Sequence, residues 1–330
     1  MAIQWLRCGH HVYVVSTWWG SRAACSMLYH LLLQDIANKQ HTADVSPGQP
    51  HLLLYDFEFD EDVEQAVNDL SRTAKENLLY IIADETIPGF GSKSSFHDLC
   101  NKLLTKVPDL HLWAANCYHE DAPDGWQVEY LTRPLRSPPT VVREVEQDDE
   151  ITKLRRVHPY SKRGVSDHTD GPPVTRLCHG GQGHSGDLPV DCVTCGRELA
   201  SLLHSLRVTS TENVRTTSTT LTHTSGGARP PCVQWRDVLL LYWRVLSDSS
   251  HMMTALREAG IPVLVMKDDD IDDVATARSD VVWVAEGDRV RGLERKIVVY
   301  LGRVDNVDAR LQVISRCTSQ LVIYETQDES

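Results

Sequence analysis

Residues 281–302, VVWVAEGDRVRGLERKIVVYLG, contain the pattern that decides the fold class. The two apolar runs in this stretch, 281–285 and 296–302, are β-branched and continuous, which is typical of strands covered on both faces of a parallel sheet. A polar segment rich in arginine and glutamate separates them. We therefore expect buried parallel strands whose polar connections gather at a ligand-binding edge of the sheet.

The same alternation of apolar strand and amphipathic helix continues towards both ends of the chain. It predicts an α/β fold with parallel sheets and right-handed crossovers. The other predicted strands are 12–15, 51–57, 77–84, 111–115, 126–131, 237–243, 262–266 and 320–324.

The length and the punctuation of the sequence predict two domains. A chain of 330 residues can form two domains of ordinary size, each with its own core. Paired prolines followed by a charge run at 136–151 mark the crossing, so we predict domains 1–146 and 147–330. The Thr/Ser/Gly-rich segment 209–230 is predicted to be a flexible insertion without a core of its own.

Composition and charge exclude several classes of protein. The chain has 41% hydrophobic and 24% charged residues, which is typical of a globular protein. It has no run of about 18 apolar residues, so we expect no association with a membrane. A net charge of −13 argues against a broad electrostatic grip on nucleic acid and leaves only a local groove for DNA or RNA. Nine cysteines, an odd number, and the lack of a secretory signal pattern predict an intracellular protein, cytoplasmic or nuclear.

The segment CHGGQGHSGDLPVDCVTCG (178–196) is the strongest cluster of chemically active residues. It offers four candidate ligands and one spare thiol: His179, His184, Cys192, Cys195 and Cys178. A Cys-x-x-Cys pair on one tight turn suits tetrahedral zinc, and two imidazoles complete a structural shell. Two alternatives remain, namely a buried cysteine pair beside surface histidines, and a thiol redox pair at the start of a helix.

The segments RGLER (291–295) and VISRCTSQLVIY (313–324) each carry a polar loop into a strand. The pair resembles motifs V and VI of superfamily-one helicases of the UvrD/Rep type, which contain two RecA-like units. The resemblance implies that Gly292 and Glu294 lie near the nucleotide and the nucleic acid, and that Arg316 contacts the γ-phosphate of ATP. The alternative is that RGLER is a solvated turn and Arg316 a surface charge.

Further segments follow in the order of that family and extend the resemblance to the first domain. Residues 12–32 are similar to motif Ia, which implies that Ser16, Thr17 and Arg22 touch a nucleic-acid backbone. Residues 52–59 stand where the Walker B strand is expected and make Asp56 the candidate magnesium ligand. The adjacent Asp-Glu pair of the family is missing there, and an acidic strand end is the alternative.

Two further segments complete the resemblance. Residues 81–86 stand at the position of motif III but lack its glutamine. Residues 130–145 are similar to motif IV, which implies that Arg136, or Arg133 in its place, also reaches the γ-phosphate. As an alternative, either arginine hydrogen-bonds backbone carbonyls at the crossing.

The motif that would bind the phosphates of ATP does not occur in the sequence. There is no G-x-x-x-x-G-K-S/T, and therefore no loop of backbone amides with its lysine. We expect the first RecA-like unit to be incomplete at its N-terminus, with an upstream segment or a protein partner supplying the rest. The expected function is that of a helicase-like P-loop NTPase fragment, related to nucleic-acid-dependent ATPases, which does not hydrolyse ATP by itself. The alternative is a non-enzymatic, zinc-stabilised scaffold or interaction module that keeps the helicase fold.

Overall fold

The computed structural model of the protein describes ten stretches of the chain. They are residues 1–39, 46–75, 77–86, 95–116, 125–129, 136–153, 171–215, 233–243, 246–302 and 307–326. Within them the strands form two sheets, and every strand pairing in both sheets is parallel.

The first sheet has four strands in the order β2-β1-β3-β4. Its strands are β1 (Val12–Ser16), β2 (Pro50–Leu54), β3 (Leu78–Ala83) and β4 (Asp109–Ala114). The helices in this part of the chain are α1 (Ala2–Arg7), α2 (Arg22–Lys39), α3 (Asp60–Thr73) and α4 (Ser95–Lys106).

The second sheet has six strands in the order β5-β10-β9-β6-β8-β7. Its strands are β5 (Thr175–His179), β6 (Val238–Tyr242), β7 (Val263–Val265), β8 (Val282–Glu286), β9 (Arg295–Leu301) and β10 (Cys317–Thr326). The helices that go with it are α5 (Pro139–Gln147), α6 (Asp149–Thr152), α7 (Val193–Arg215), α8 (His251–Glu258), α9 (Ile271–Thr276) and α10 (Val307–Ile314).

Each sheet has an apolar core on both of its faces, because successive side chains of a strand point to opposite sides. In β1, Val15 belongs to one core and Val14 to the other. In β6, Leu239 and Leu240 divide in the same way between two cores of the second sheet. Burial on both faces explains why these strands are continuous apolar runs in the sequence. The prediction of an α/β fold with parallel sheets is confirmed.

The structure differs from the sequence-based expectation in three local elements. Residues 126–129, in the predicted strand 126–131, do not form a strand. Strand β5 was not predicted; its burial alternates because it lies at the edge of the sheet. Helix α7 continues to Arg215 and so includes residues 209–215 of the predicted insertion, whose remaining residues, 216–230, lie outside the described part. The Thr and Ser residues of 209–215 lower helix propensity only slightly, so a composition typical of a linker is compatible with a helix.

Helix α5 falls within the predicted first domain but packs on the second sheet. Its Val141 and Val145 belong to the same core as Val298 of β9 and Val313 of α10. None of the helices in the described stretches is both long enough and apolar enough to span a membrane.

The carboxyl edge of the first sheet faces the amino edge of the second. The carboxyl ends of β1 and β3 face the loops that lead into the amino ends of β9 and β10, where the guanidinium of Arg291 lies 4.8 Å from the ring centre of Trp18. Alongside, α2 packs on α9, and the Ser26 hydroxyl donates a hydrogen bond to Asp272. The arginine-bearing loops of the second sheet thus lie at its amino edge. The two loops share one edge of the sheet, as expected, and it is the amino edge because each loop precedes its strand.

Gly292 allows this close approach. Its φ is +73°, and a Cβ built there would lie 2.8 Å from Cβ of Ala24 and 3.4 Å from Cγ of Glu85. A side chain at this position would therefore meet both a left-handed backbone and the opposite sheet.

We expect Gly292→Ala to destabilise the protein more than Gly260→Ala. Gly260 has a φ of +78° and nothing within 4 Å of a built Cβ, so its substitution measures backbone strain alone, about 1–2 kcal/mol. Gly292→Ala adds the collision with Ala24. Urea unfolding of both variants measures the difference, and equal losses of stability would contradict close packing of the two sheets at Gly292.

Candidate functional site

Four side chains from the Cys/His segment converge on one point. The ligand atoms of His179, His184, Cys192 and Cys195 all lie within 4.8 Å of one another. His179 ends β5, His184 lies in the loop that follows, and Cys195 lies in the first turn of α7. This group could hold a metal ion.

The separations between these atoms suit tetrahedral coordination. Nδ1 of His179 and Nδ1 of His184 each lie 3.2 Å from Sγ of Cys195, and Sγ of Cys192 lies 3.6 Å from Nδ1 of His184. Ligand–metal distances of about 2.0–2.3 Å require ligands to be about 3.5 Å apart in a tetrahedral shell. The side chains are therefore arranged closely enough for all four to bind one ion.

The outer nitrogens of both histidines have polar neighbours of their own. Nε2 of His179 lies 3.0 Å from the carbonyl oxygen of Gly186, and Nε2 of His184 lies 3.8 Å from Oε1 of Glu198. An imidazole that donates Nε2–H outwards presents an unprotonated Nδ1 to a metal, which is the usual arrangement around bound ions.

The backbone of the loop is shaped for this convergence. Gly186 has a φ of +80°, and a Cβ there would lie 2.9 Å from Cβ of Asp191. Only glycine fits this position without displacing Asp191. On the other side, the hydroxyl of Tyr324 in β10 donates a 2.7 Å hydrogen bond to the carbonyl oxygen of Cys195, which ties the start of α7 to the sheet.

The pKa values of the two thiols are shifted in opposite directions. For Cys192, burial raises the pKa, but hydrogen bonds from the backbone amides of Cys195 and Ser185 outweigh it and lower the pKa to about 6. Burial raises the pKa of Cys195 to about 12, and the neighbouring Cys192 adds to this shift. The protein alone therefore stabilises one thiolate here; a divalent cation would compensate a second.

A second group of charged side chains meets where the two sheets face each other. Asp84 and Glu85 directly follow β3, and the indole Nε1–H of Trp18 donates a 2.7 Å hydrogen bond to the carbonyl oxygen of Glu85. Glu85, with Arg291 and Arg316, lines a cavity of about 260 Å³. We name this the intersheet cavity. One acid from the first sheet, Glu85, and two arginines from the second thus share one small space.

Opposite charges face each other across the intersheet cavity. Burial raises the pKa of Glu85, and Asp84 adds to the shift, whereas Arg316 and Arg291 oppose it. Burial also raises the pKa of Asp84. The carboxylates of this pair are thus held in a poorly solvated space, where a neighbouring cation has a large effect.

Most residues predicted from motifs V, VI and IV lie at this cavity. Gly292, Glu294 and Arg316 line it, and Nε of Arg136 lies 2.8 Å from Oε2 of Glu294. Arg316 is 5% exposed, and its NH1 donates to the carbonyl oxygens of Gly287 at 2.8 Å and Val290 at 2.7 Å. It is a buried residue that fixes the loop before β9. The alternative that it is a surface charge was wrong.

The residues predicted from the first domain are placed differently. The side chains of Ser16 and Thr17 are completely buried, so neither is offered to a nucleic acid. The amides of Thr17 and Trp18 donate instead to the Ser21 hydroxyl, at 3.0 and 3.4 Å. Arg22, the first residue of α2, is partly exposed.

Asp56 does not line the intersheet cavity. Its backbone amide donates to Asp62, and its carboxylate accepts from the amide of Glu58, so both groups close the turn after β2. The acid that lines the cavity together with the arginines is Glu85, which follows Asp84 in the chain. Sequence reasoning missed its role, although two adjacent acids after a buried strand, Asp84-Glu85, are the signal that was sought near Asp56.

No known protein-family model matches the chain, and no curated protein matches it in sequence.

We expect Glu85→Gln to change how stability depends on pH. A carboxyl group whose pKa is higher in the folded than in the unfolded chain contributes stability fully below its unfolded pKa, about 4.3, and loses it as pH rises through the folded pKa. The glutamine cannot ionise. The free energy of unfolding of Glu85→Gln, relative to the wild type, should therefore increase from about pH 4 to pH 7.

Urea unfolding at a series of pH values measures this difference. A difference that stays constant or decreases with pH would show that Glu85 ionises freely in the folded protein.

Proposed function

We propose that the chain forms part of the nucleotide-binding cleft of a helicase-like motor with two RecA-like units, related to nucleic-acid-dependent ATPases. The single observation that carries this proposal is the meeting of Glu85, which follows the first sheet's β3 and adjoins Asp84, with Arg291 and Arg316 of the second sheet in the intersheet cavity. Acids and arginines brought together between two parallel sheets are the groups that a magnesium–phosphate ligand requires.

Each group has a distinct part in this proposal. Asp84 and Glu85 provide the carboxylate oxygens that magnesium prefers, in place of Asp56. Arg136 is largely exposed and, among the described residues, pairs with Glu294, so its guanidinium is placed to swing onto a phosphate. Arg316 acts mainly by fixing the loop that carries Arg291, since its own NH1 is engaged by two carbonyls.

We further propose that the chain does not hydrolyse ATP by itself. No phosphate-binding motif occurs in the 330 residues. At the end of β1, where a strand leads into a helix, the amides of Thr17 and Trp18 are engaged by Ser21 and so are not free to cradle phosphates. A segment or partner beyond these residues would have to supply the cradle. DNA or RNA remains the proposed partner, with Arg22 the partly exposed member of the residues predicted to contact it.

We propose, independently of the cleft, that the four-residue group binds structural zinc. Two thiolates and two imidazoles are the donor set of structural zinc sites, and four protein ligands leave no open position for a substrate. The chain would also keep this function if it served only as a scaffold without turnover.

We expect Arg136→Ala to weaken binding of fluorescent ATP with magnesium about tenfold, or about 1.4 kcal/mol, because a charged phosphate contact is lost. The matched control is Arg72→Ala, which removes an exposed arginine paired with Asp69 on α3. Fluorescence anisotropy measures binding, and phosphate release measures turnover.

Two results would contradict the cleft proposal. The first is ATP binding that Arg136→Ala and Arg72→Ala affect equally. The second is steady phosphate release by the purified wild-type chain, which would overturn the statement that it does not hydrolyse ATP alone.

We expect one zinc per chain in the purified protein, lost in Cys192→Ser together with about 10 °C of thermal stability, or ~3 kcal/mol. Cys178→Ser is the control, because Cys178 is exposed and outside the group. Metal analysis and thermal unfolding of both variants test this. Zinc retained in Cys192→Ser, or absent from the wild type, would overturn the zinc proposal.

A further inference from the structure

A second cavity lies at the amino edge of the second sheet, next to the intersheet cavity. Its volume is about 420 Å³, and it opens between the start of β9 and the end of α9. Arg236, Arg295 and Lys296 contribute three positive charges to its walls, and Asp237 and Glu294 contribute two negative charges. We name it the arginine cavity.

The two carboxylates of the arginine cavity already have cationic partners. Oδ2 of Asp237 lies 2.9 Å from Nζ of Lys296, and Oε2 of Glu294 lies 2.8 Å from Nε of Arg136. Neither acid is therefore fully available to neutralise the arginines of the cavity.

The two arginines are held by neutral oxygens. Arg236 donates from Nε to Oε1 of Gln234 at 2.5 Å and from NH1 to the carbonyl of Ala277 at 3.5 Å. Arg295 donates to the carbonyls of Glu294, at 2.8 Å, and of Val274. In the described stretches, no carboxylate lies within salt-bridge distance of either guanidinium.

Arg295 is also poorly solvated. Burial lowers the pKa of its guanidinium, Asp237 opposes this shift without cancelling it, and its Nε has no hydrogen-bond partner in the described structure. Burying a charge is costly unless an opposite charge compensates it. An anion in the cavity would provide that compensation for both arginines.

We propose that the arginine cavity binds a phosphoryl group. A planar guanidinium group can bind two phosphate oxygens at once. Arg236 and Arg295 line the same cavity, together with Lys296. The group belongs either to free polyphosphate or to the backbone of a nucleic acid. The net charge of the chain is −13, so its overall electrostatic field repels anions. Short-range contacts with the cationic side chains of the cavity must therefore hold the phosphoryl group.

The test is pyrophosphate binding by isothermal titration calorimetry at low salt. The wild type should bind one pyrophosphate in this cavity, and Arg236→Gln should weaken binding at least tenfold. Arg257→Gln is the control, because Arg257 is held by the carboxylate of Asp248 and does not line the cavity. Arg295→Lys, which keeps the charge but loses the fork, should also weaken binding, and circular dichroism checks that each variant is folded.

Four further outcomes decide the proposal. Competition by a single-stranded oligonucleotide, abolished in Arg236→Gln, supports the site with the nucleic-acid backbone as the source; pyrophosphate binding without such competition supports it with free phosphate. Binding that is lost in Arg136→Ala but kept in Arg236→Gln belongs to the intersheet cavity and overturns the proposal. No binding to the folded wild type also overturns it, and the arginines then serve only to cap the carbonyls at the end of α9.

Discussion

The close approach of the loop before β9 to the end of β3 is the constraint on which the rest of the arrangement depends. It requires a residue without a side chain in a left-handed backbone, and Gly292 meets both conditions. The approach brings Glu85 into a space where water is scarce and where Arg291 and Arg316 are the compensating charges. Stacking of Arg291 on Trp18 and packing of α2 on α9 hold the same contact from either side. Because the sheets meet head to tail, side chains that follow strands in one unit face side chains that precede strands in the other.

Much of the fold follows from periodicity alone. Strands buried on both faces must be apolar at every position, so β1, β3, β6 and β9 are visible in the sequence, and a parallel sheet follows from the helices between them. An edge strand carries no such signal: β5 alternates between exposed and partly buried residues and looks like a loop. The length of helix α7 was underestimated because its last turns contain Thr, Ser and Asn, which are common in linkers. Once a helix has begun, it tolerates these residues.

The candidate sites show what a motif can and cannot give. The cysteine and histidine spacing identified all four members of the group that could hold a metal ion, because its members lie within one short segment. For the intersheet cavity, the sequence located Gly292, Glu294, Arg136 and Arg316 but could not tell what each one contacts. Whether an arginine faces a ligand or a carbonyl depends on distant backbone, as Arg316 shows. The acid pair was misplaced for the same reason, since only the strand order reveals which acidic loop opposes the arginines.

The hydrogen bond from the Tyr324 hydroxyl to the carbonyl oxygen of Cys195 has a consequence for the edge of the second sheet. Within the part of the chain that the structure describes, β5 pairs only with β10 and so forms one edge of the second sheet. His179 ends that strand, and the tyrosine anchors α7 to β10, so an ion held by the four side chains would fasten the outermost strand to its neighbour at one end. Cys192 and Cys195 belong to the core beneath α7, so loss of the ion would loosen the sheet margin and that core together.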